Sequence, residues 1–236
     1  MKVIRNSRLF IIALIIVAFF KQLLWLIMIP AWQFPDEQAH FAQVQNISEL
    51  KSIKLPSGPQ TSREIYEAEK LLGTARDEFG NNKFTYHPEY NLPYEDEVSN
   101  RIGKQIANFP DYFRTERVIY EATGYPPLYY VLASPFYILG TKGDLLVRIF
   151  TTRILNLFVF LGITYMAWIL GKKLFPKEQL LQKVYTSMIV FHPMFSFVEA
   201  STSSDALFNL LSLAGIYISV KILEEGSTKK NLLQLA

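Results

Sequence analysis

A run of apolar residues near the start of the chain constrains the fold more than any other feature. Residues 9–30 are apolar except for Lys21 and Gln22, and about 20 such residues are needed to cross the roughly 30 Å hydrocarbon core of a bilayer. Basic residues precede the run, as in a signal peptide, but it exceeds the ~7–15 apolar residues of a signal peptide and lacks a small-residue cleavage site. We therefore predict an uncleaved transmembrane helix, with residues 1–30 forming the cytoplasmic start and the first span.

Lys21 is the one charged residue inside this run. A lysine at the centre of a spanning helix costs about 3 kcal/mol, whereas each large apolar neighbour contributes roughly −0.5 kcal/mol, so the helix still inserts. The lysine either faces other helices or extends to the interface, or it is a functional charge inside the membrane. The sequence leaves both interpretations open.

Apolar residues make up 50% of the 236-residue chain and are gathered into blocks, a distribution typical of membrane proteins. The net charge of +3 is small and carries no nucleic-acid signature. The absence of cysteine excludes disulfides, thiolate metal sites and a cysteine nucleophile. Three further blocks predict three more spans, at about residues 150–170, 184–200 and 206–223.

The charged segments between these blocks predict the orientation. Residues 171–177 are basic, as are the amino terminus and residues 221–230, whereas residues 199–205 contain acidic side chains. Basic segments lie preferentially in the cytoplasm. We therefore expect a multi-pass protein of the plasma (inner) membrane with a cytoplasmic amino terminus and residues 31–147 outside.

Residues 125–140 are apolar and aromatic, but Pro126, Pro127 and Pro135 and the short length make them a poor span. We predict a helix lying in the outer interface, which aromatic side chains favour. The fold class is then an all-α membrane protein with about four transmembrane helices, or five if 125–140 crosses. Residues 148–236 would hold the later spans, and 232–236 resemble the start of a further one.

The outer loop is too long for a simple connection, and loops of this length are usually functional or domain-like. Residues 36–50 place four apolar residues at helical spacing, which predicts a juxtamembrane helix with one apolar stripe along the bilayer surface. Those residues are Phe41, Val44, Ile47 and Leu50. The many charges between residues 51 and 110 are interpreted as a solvated face. Among them are Glu64, Glu67, Glu69, Asp77, Glu78, Glu95, Asp96 and Glu97.

Asp36 and Glu37 follow the first span closely, so we expect their carboxylates at the membrane surface, where a lipid headgroup and a water-soluble acceptor can meet. A carboxylate there can act as a general base that accepts a proton from an attacking hydroxyl. The alternative is an ordinary helix start, because aspartate is a good N-cap and glutamate is favoured in the first turn.

Other residues could bind substrate. His40 stands four residues after Asp36 on the same helical face, so an acid/base pair is possible; a divalent metal is weighed there but not assigned, and no cofactor is expected. Arg148 and Arg153 could contact a leaving phosphate, or could extend toward the interface. Asp205 begins the fourth predicted span on the outer side and is either a substrate contact or an N-cap.

Four segments, taken in order, resemble the amino-terminal half of the GT-C glycosyltransferases: FPDEQAHF (34–41), YPPLYY (125–130), RILN (153–156) and SSDAL (203–207). Within that superfamily the chain is most similar to a bacterial group of uncharacterised multi-pass membrane proteins. Protein O-mannosyltransferases and lipid A aminoarabinose transferases are more distant. Relatives often carry His or Lys before the Pro-Pro motif, whereas Tyr125 stands there in this chain, which puts a phosphate-contacting role at that position in doubt.

This resemblance implies a catalytic base in the first outer loop, at Asp36 or Glu37, and a sugar donor carried on polyprenyl phosphate or diphosphate. The other partners that it implies are the lipid bilayer and an extracytoplasmic acceptor hydroxyl. Members have more spans, so we expect the amino-terminal part of a larger GT-C fold. A non-catalytic scaffold or transporter component in envelope polysaccharide assembly is the alternative.

Overall fold

The computed structural model describes residues 2–53, 58–75, 95–119 and 125–226, with side chains from residue 7 onward. The predicted start of a further span at 232–236 lies outside these residues. The described helices, in chain order, are α1 (Lys2–Met28), α2 (Glu37–Leu50), α3 (Arg63–Leu71), α4 (Asp96–Ala107), α5 (Leu128–Leu139), α6 (Leu145–Leu174), α7 (Gln179–Phe191), α8 (Pro193–Val198) and α9 (Asp205–Glu225). Two short strands, β1 (Thr61–Ser62) and β2 (Arg117–Ile119), and one 3-10 turn (Asp111–Arg114) complete them.

The predicted class, an all-α membrane protein, is confirmed. Within the described residues three helices, α1, α6 and α9, are long and apolar enough to cross a membrane. Residue contacts divide the chain into two compact units. The helical unit comprises Met1–Leu26, Asn156–Ala200 and Asp205–Ala236, and the loop unit comprises Ile27–Leu155 and Ser201–Ser204.

The core of the helical unit joins three of its helices. Leu14 and Ala18 of α1, Phe160 of α6 and Val190 of α7 are buried together. These apolar contacts occur at helical spacing on α1, whose opposite face stays exposed, as lipid-facing helices require.

The prediction of one continuous helix at 184–200 is wrong, because two helices, α7 and α8, occupy this segment. His192 is extended, with φ −66° and ψ 114°, and Pro193 begins α8. Proline has no N–H for the preceding turn and clashes with its carbonyl, so α7 ends. The Lys21 ammonium donates to the Val190 carbonyl and to Ser196 Oγ, and Gln22 Nε2 donates to the Ser196 carbonyl at 3.0 Å. Lys21 therefore faces other helices and satisfies the backbone at this break.

The loop unit is built around α2 and α5. The rings of Phe41 and Tyr137 meet with centroids 5.6 Å apart, and Ser48 Oγ lies 2.6 Å from Ser134 Oγ. The expectation that α2 has a single apolar stripe is wrong at the middle of the helix, and its location along the bilayer surface stays a prediction. Residues 41–46 are all buried, including the polar ones, so neighbouring elements enclose the middle of this helix on every face, whereas residues 47–49 are half-buried and Leu50 is exposed.

A small antiparallel sheet, absent from the sequence prediction, ties α3 to the later part of the loop. Gln60 N donates to the Ile119 carbonyl at 2.8 Å, and Arg63 N donates to the Glu116 carbonyl at 2.8 Å. Ser62 Oγ then caps α3 by accepting from Ile65 N at 3.4 Å. The strands pair residues far apart in sequence, which local patterns do not reveal.

The interpretation of the 51–110 charges as a solvated face is wrong at two positions. Glu64 and Glu69 are only 3% and 5% exposed. The later three acidic residues of that set, 95–97, are exposed as expected. Asp77 and Glu78 lie outside the described residues.

Candidate functional site

The turn between α1 and α2 carries the first predicted carboxylate. Asp36 adopts the left-handed conformation, with φ 52° and ψ 13°, and its side chain caps no backbone N–H of α2. Its carbonyl accepts from Ala39 N and His40 N at 3.1 and 3.2 Å. A side chain with positive φ costs of order 1 kcal/mol, and such residues cluster at functional sites. The exposed carboxylate of Asp36 is therefore held in a strained turn and is not used as a helix cap.

Glu37, the next residue, has opposite surroundings and is fully buried. Its Oε1 accepts from Arg153 Nε at 2.6 Å and from Thr202 N at 3.2 Å. Its Oε2 accepts from Arg153 Nη2 at 2.6 Å and from Trp32 N at 3.2 Å. A carboxylate has about four lone-pair sites, so Glu37 has no acceptor site left for a substrate hydroxyl.

Arg153, on α6, is equally enclosed and is 0% exposed. Besides Glu37, its guanidinium donates to the carbonyls of Ile29 and Pro30 at 2.8 and 3.1 Å. The rings of Phe34 and Phe150 cover it at 4.7 and 5.0 Å. This fork-to-fork pair fixes the segment that follows α1 to α6, and leaves no exposed face of the guanidinium for a phosphate.

Arg148, which precedes Arg153 on α6, is only 1% exposed and forms a second buried pair. Its guanidinium binds both oxygens of Glu64, with Nη1 at 2.9 Å from Oε2, and donates to Tyr137 Oη at 3.0 Å. Tyr137 in turn donates to Glu49 Oε1 at 2.7 Å. Burial raises the pKa of Tyr137 against the opposing charge of Arg148, so this phenol stays protonated.

His40 lies with two tyrosines of the segment 125–130. Its Nδ1 is 2.7 Å from Tyr130 Oη, and its ring centroid is 5.1 Å from that of Tyr125. His40 is 4% exposed, whereas Tyr125 is 46% exposed. The described residues contain no group of three or more His, Asp or Glu side chains that could hold a metal.

Asp205 is exposed at the first turn of α9, in the helical unit. Glu199, which follows α8, is buried, and its Oε1 accepts from Asn209 Nδ2 at 2.6 Å. Burial raises the pKa of Glu199 to about 7, and the nearby charge of Asp205 adds to the effect. Glu199 can therefore carry a proton near neutral pH.

The burial of two acidic residues, Glu64 and Glu199, was not predicted from the sequence. Glu64 shares one face of α3 with Ile65, Ala68 and Glu69, all of them buried. Acidic residues at this spacing beside apolar ones are a signal that the sequence does contain. Glu199 carries no comparable signal, because it lies outside the helices, in the turn between α8 and α9.

Comparison with known proteins gives one family. The family model described as predicted membrane protein (DUF2142) matches residues 19–236. No curated protein and no solved structure matches the chain. The family description states a location and no reaction, so the chemistry of the site rests on its geometry.

Proposed function

The chain belongs to the family of predicted membrane proteins DUF2142, and from that premise we propose that it is a membrane glycosyltransferase of the GT-C type. It would move a sugar from a polyprenyl-phosphate carrier to an acceptor hydroxyl outside the cytoplasm. The observation that carries this proposal is the contrast between Asp36 and Glu37. One carboxylate is exposed in a strained turn, and its neighbour is locked in the interior.

Asp36 is the proposed base. Its carboxylate accepts the proton of the acceptor hydroxyl while that oxygen attacks the anomeric carbon. The bond between the anomeric carbon and the lipid phosphate oxygen breaks, and the phosphate leaves with the electron pair. The exposure of Asp36 and the absence of a cap bond at its side chain support this assignment over Glu37.

Glu37 and Arg153 are proposed as positioning residues. Trp32 N and the backbone carbonyls of Ile29 and Pro30 all bind this ion pair. The pair therefore fixes both sides of the turn that holds Asp36 at φ 52°. Strain of this kind persists where surrounding contacts determine the backbone.

The burial of both arginines bears on how the lipid-linked sugar donor is bound. The guanidinium N–H groups of Arg148 and Arg153 donate to Glu64, Glu37 and backbone carbonyls. We therefore do not assign the lipid-phosphate contact to either arginine. The donor class in this proposal rests on the GT-C resemblance of the segments around Asp36, Tyr125, Arg153 and Asp205.

The test is transfer from a polyprenyl-phosphate sugar by the full-length protein. Asp36→Asn should lower turnover by roughly 10² to 10⁴, the usual contribution of a general base, with little change in donor affinity. Asp36→Gly should also lose transfer, although glycine tolerates the positive φ and should fold at least as well. The matched control is Asp96→Asn, an exposed aspartate of α4, which should leave turnover unchanged.

A scaffold or transporter component is the second candidate function. Three of the predicted site residues form buried ion pairs, which can stabilise the fold without any role in catalysis. Glu37, Arg148 and Arg153 would then serve stability alone. Transfer that survives both Asp36 substitutions in protein that accumulates normally would remove the enzymatic proposal and favour this alternative.

A further inference from the structure

A small pocket in the loop unit lies beside His40. Its volume is about 130 Å³, and its lining residues are Gln43, Ile47, Ile53, Tyr125, Pro127 and Tyr130. The two tyrosines are the ones that His40 contacts, through a ring contact with Tyr125 and a 2.7 Å polar contact with Tyr130. His40, in the first turn of α2, is therefore in direct contact with two residues that line the pocket.

The lining combines apolar walls with a few polar groups. Ile47, Ile53 and Pro127 supply aliphatic surface, and Tyr125 offers a ring that is 46% exposed. The Gln43 amide is 2% exposed and brings donors and an acceptor into the interior. A pyranose ring has the matching chemistry, with C–H groups that pack on an aromatic face and hydroxyls that bind an amide. Ligand sites generally pair apolar walls with a small number of polar groups in this way.

The position of the pocket relative to Asp36 follows from helix geometry. His40, Gln43 and Ile47 recur at intervals of three or four residues, so they share one face of α2, and Asp36 directly precedes the first residue of this helix. At 1.5 Å per residue, Gln43 lies about 9 Å along the helix from Glu37, the residue next to Asp36. A hydroxyl that gives its proton to Asp36 must approach within about 3 Å of the carboxylate. Along the helix axis, the pocket is therefore displaced from Asp36 by more than the length of such a hydrogen bond.

We infer that this pocket binds a sugar ring of an oligosaccharide acceptor, one or more residues away from the ring whose hydroxyl reacts at Asp36. The inference rests on the proposed function and narrows its acceptor to a glycan of several residues. A single sugar or a protein hydroxyl would leave the pocket empty.

The chain has no native cysteine, so one cysteine at the pocket can report occupancy without any measurement of transfer. Ile53 lines the pocket and is 60% exposed, which makes Ile53→Cys accessible to a maleimide in the full-length purified protein. The probes are mannotriose, maltotriose and cellotriose. If the bound trisaccharide protects the cysteine, the modification rate falls by a factor of 1 + [L]/Kd, where [L] is the free trisaccharide concentration. The decrease is about tenfold at a concentration of ten times Kd.

Controls separate specific binding from other effects. Mannitol has the hydroxyls without a ring and should give no protection, and Ser99→Cys, an exposed site on α4, should react at the same rate with every probe. Adding Tyr125→Ala or Gln43→Leu to the Ile53→Cys protein should abolish protection. Unchanged rates with every trisaccharide overturn the inference. Protection by polyprenyl-phosphate glucose alone also overturns it, because the ring would then belong to the donor.

The two proposals fail separately. Protection by a trisaccharide together with full transfer in Asp36→Asn would keep the glycan site and reject the catalytic role. Loss of transfer in Asp36→Asn without protection by any trisaccharide would keep the enzyme and reject this acceptor site.

Discussion

At the scale of single residues, the ion pair of Glu37 with Arg153 leads to a specific prediction about the free energy of unfolding. Both side chains are 0% exposed, and they meet through two bonds of 2.6 Å. Removing one partner of a buried pair leaves an uncompensated charge, which costs about 3–5 kcal/mol, whereas replacing both with apolar residues is often neutral.

We therefore expect Glu37→Gln and Arg153→Met each to lower the thermal unfolding midpoint strongly in detergent, and Glu37→Met/Arg153→Met to recover most of the loss. The control is the solvent-accessible pair of Lys70, which is exposed, and Glu67, which is half-buried, 3.5 Å apart, where Glu67→Gln should cost less than about 1 kcal/mol. A double variant as unstable as the sum of its parts would contradict this account.

Glu199 gives the pH dependence of the helical unit. Its pKa rises from 4.5 to about 7 through burial, so the folded state binds a proton that the unfolded state releases above its ordinary pKa. Stability therefore falls as pH rises between about 4.5 and 7, and the penalty is complete above that window.

Glu199→Gln should remove this slope, because the amide resembles the protonated acid and keeps a side-chain carbonyl for Asn209. Unfolding midpoints measured from pH 5 to pH 8 should decline more in the wild type than in this variant. Parallel pH curves for the two proteins would show that Glu199 does not titrate in this range.

At the scale of elements, the length of α5 bears on whether this apolar helix crosses the membrane. It has 12 residues, which at 1.5 Å each span about 18 Å, well short of a bilayer core of roughly 30 Å. Tyr130 and Tyr137 contact His40 and Phe41 of α2, and Leu128, Ile138 and Leu139 stay exposed. This pattern supports a helix that lies in the interface.

We expect both ends of α5 to be on the same side of the membrane. Single cysteines at Tyr125 and Lys142, both exposed, should react with an impermeant thiol reagent added to intact cells. Reaction at only one of the two would make this helix a span and add one to the count.

The break between α7 and α8 is the other element-level feature. Hydropathy averages over the break, since the residues on both sides are apolar. The ends of these helices are instead set by Pro193 and stabilised by Lys21, from α1. The cost of a lysine within an apolar helix is offset by hydrogen bonds that only the packed structure supplies.

At the scale of the whole molecule, orientation is the open prediction. The basic segments predict residues 31–147 outside and 171–177 in the cytoplasm. A cysteine at Ser99 should react with an impermeant reagent in intact cells, and one at Lys177 should react only after the membrane is made permeable. The reverse pattern would invert the topology and place Asp36 on the cytoplasmic side.

The sequence alone determined the membrane class and the long helices α1, α6 and α9, because spanning a bilayer depends on local length and hydropathy. Only the tertiary structure decided which charged residues are available for chemistry. Glu37 and Arg153 are separated by 116 residues, and Glu64 and Arg148 by 84. No local pattern shows that such groups meet, so the sequence could only identify Asp36, Glu37 and the arginines as candidates. The tertiary structure is needed to distinguish the exposed carboxylate of Asp36 from the carboxylates that are paired with arginines.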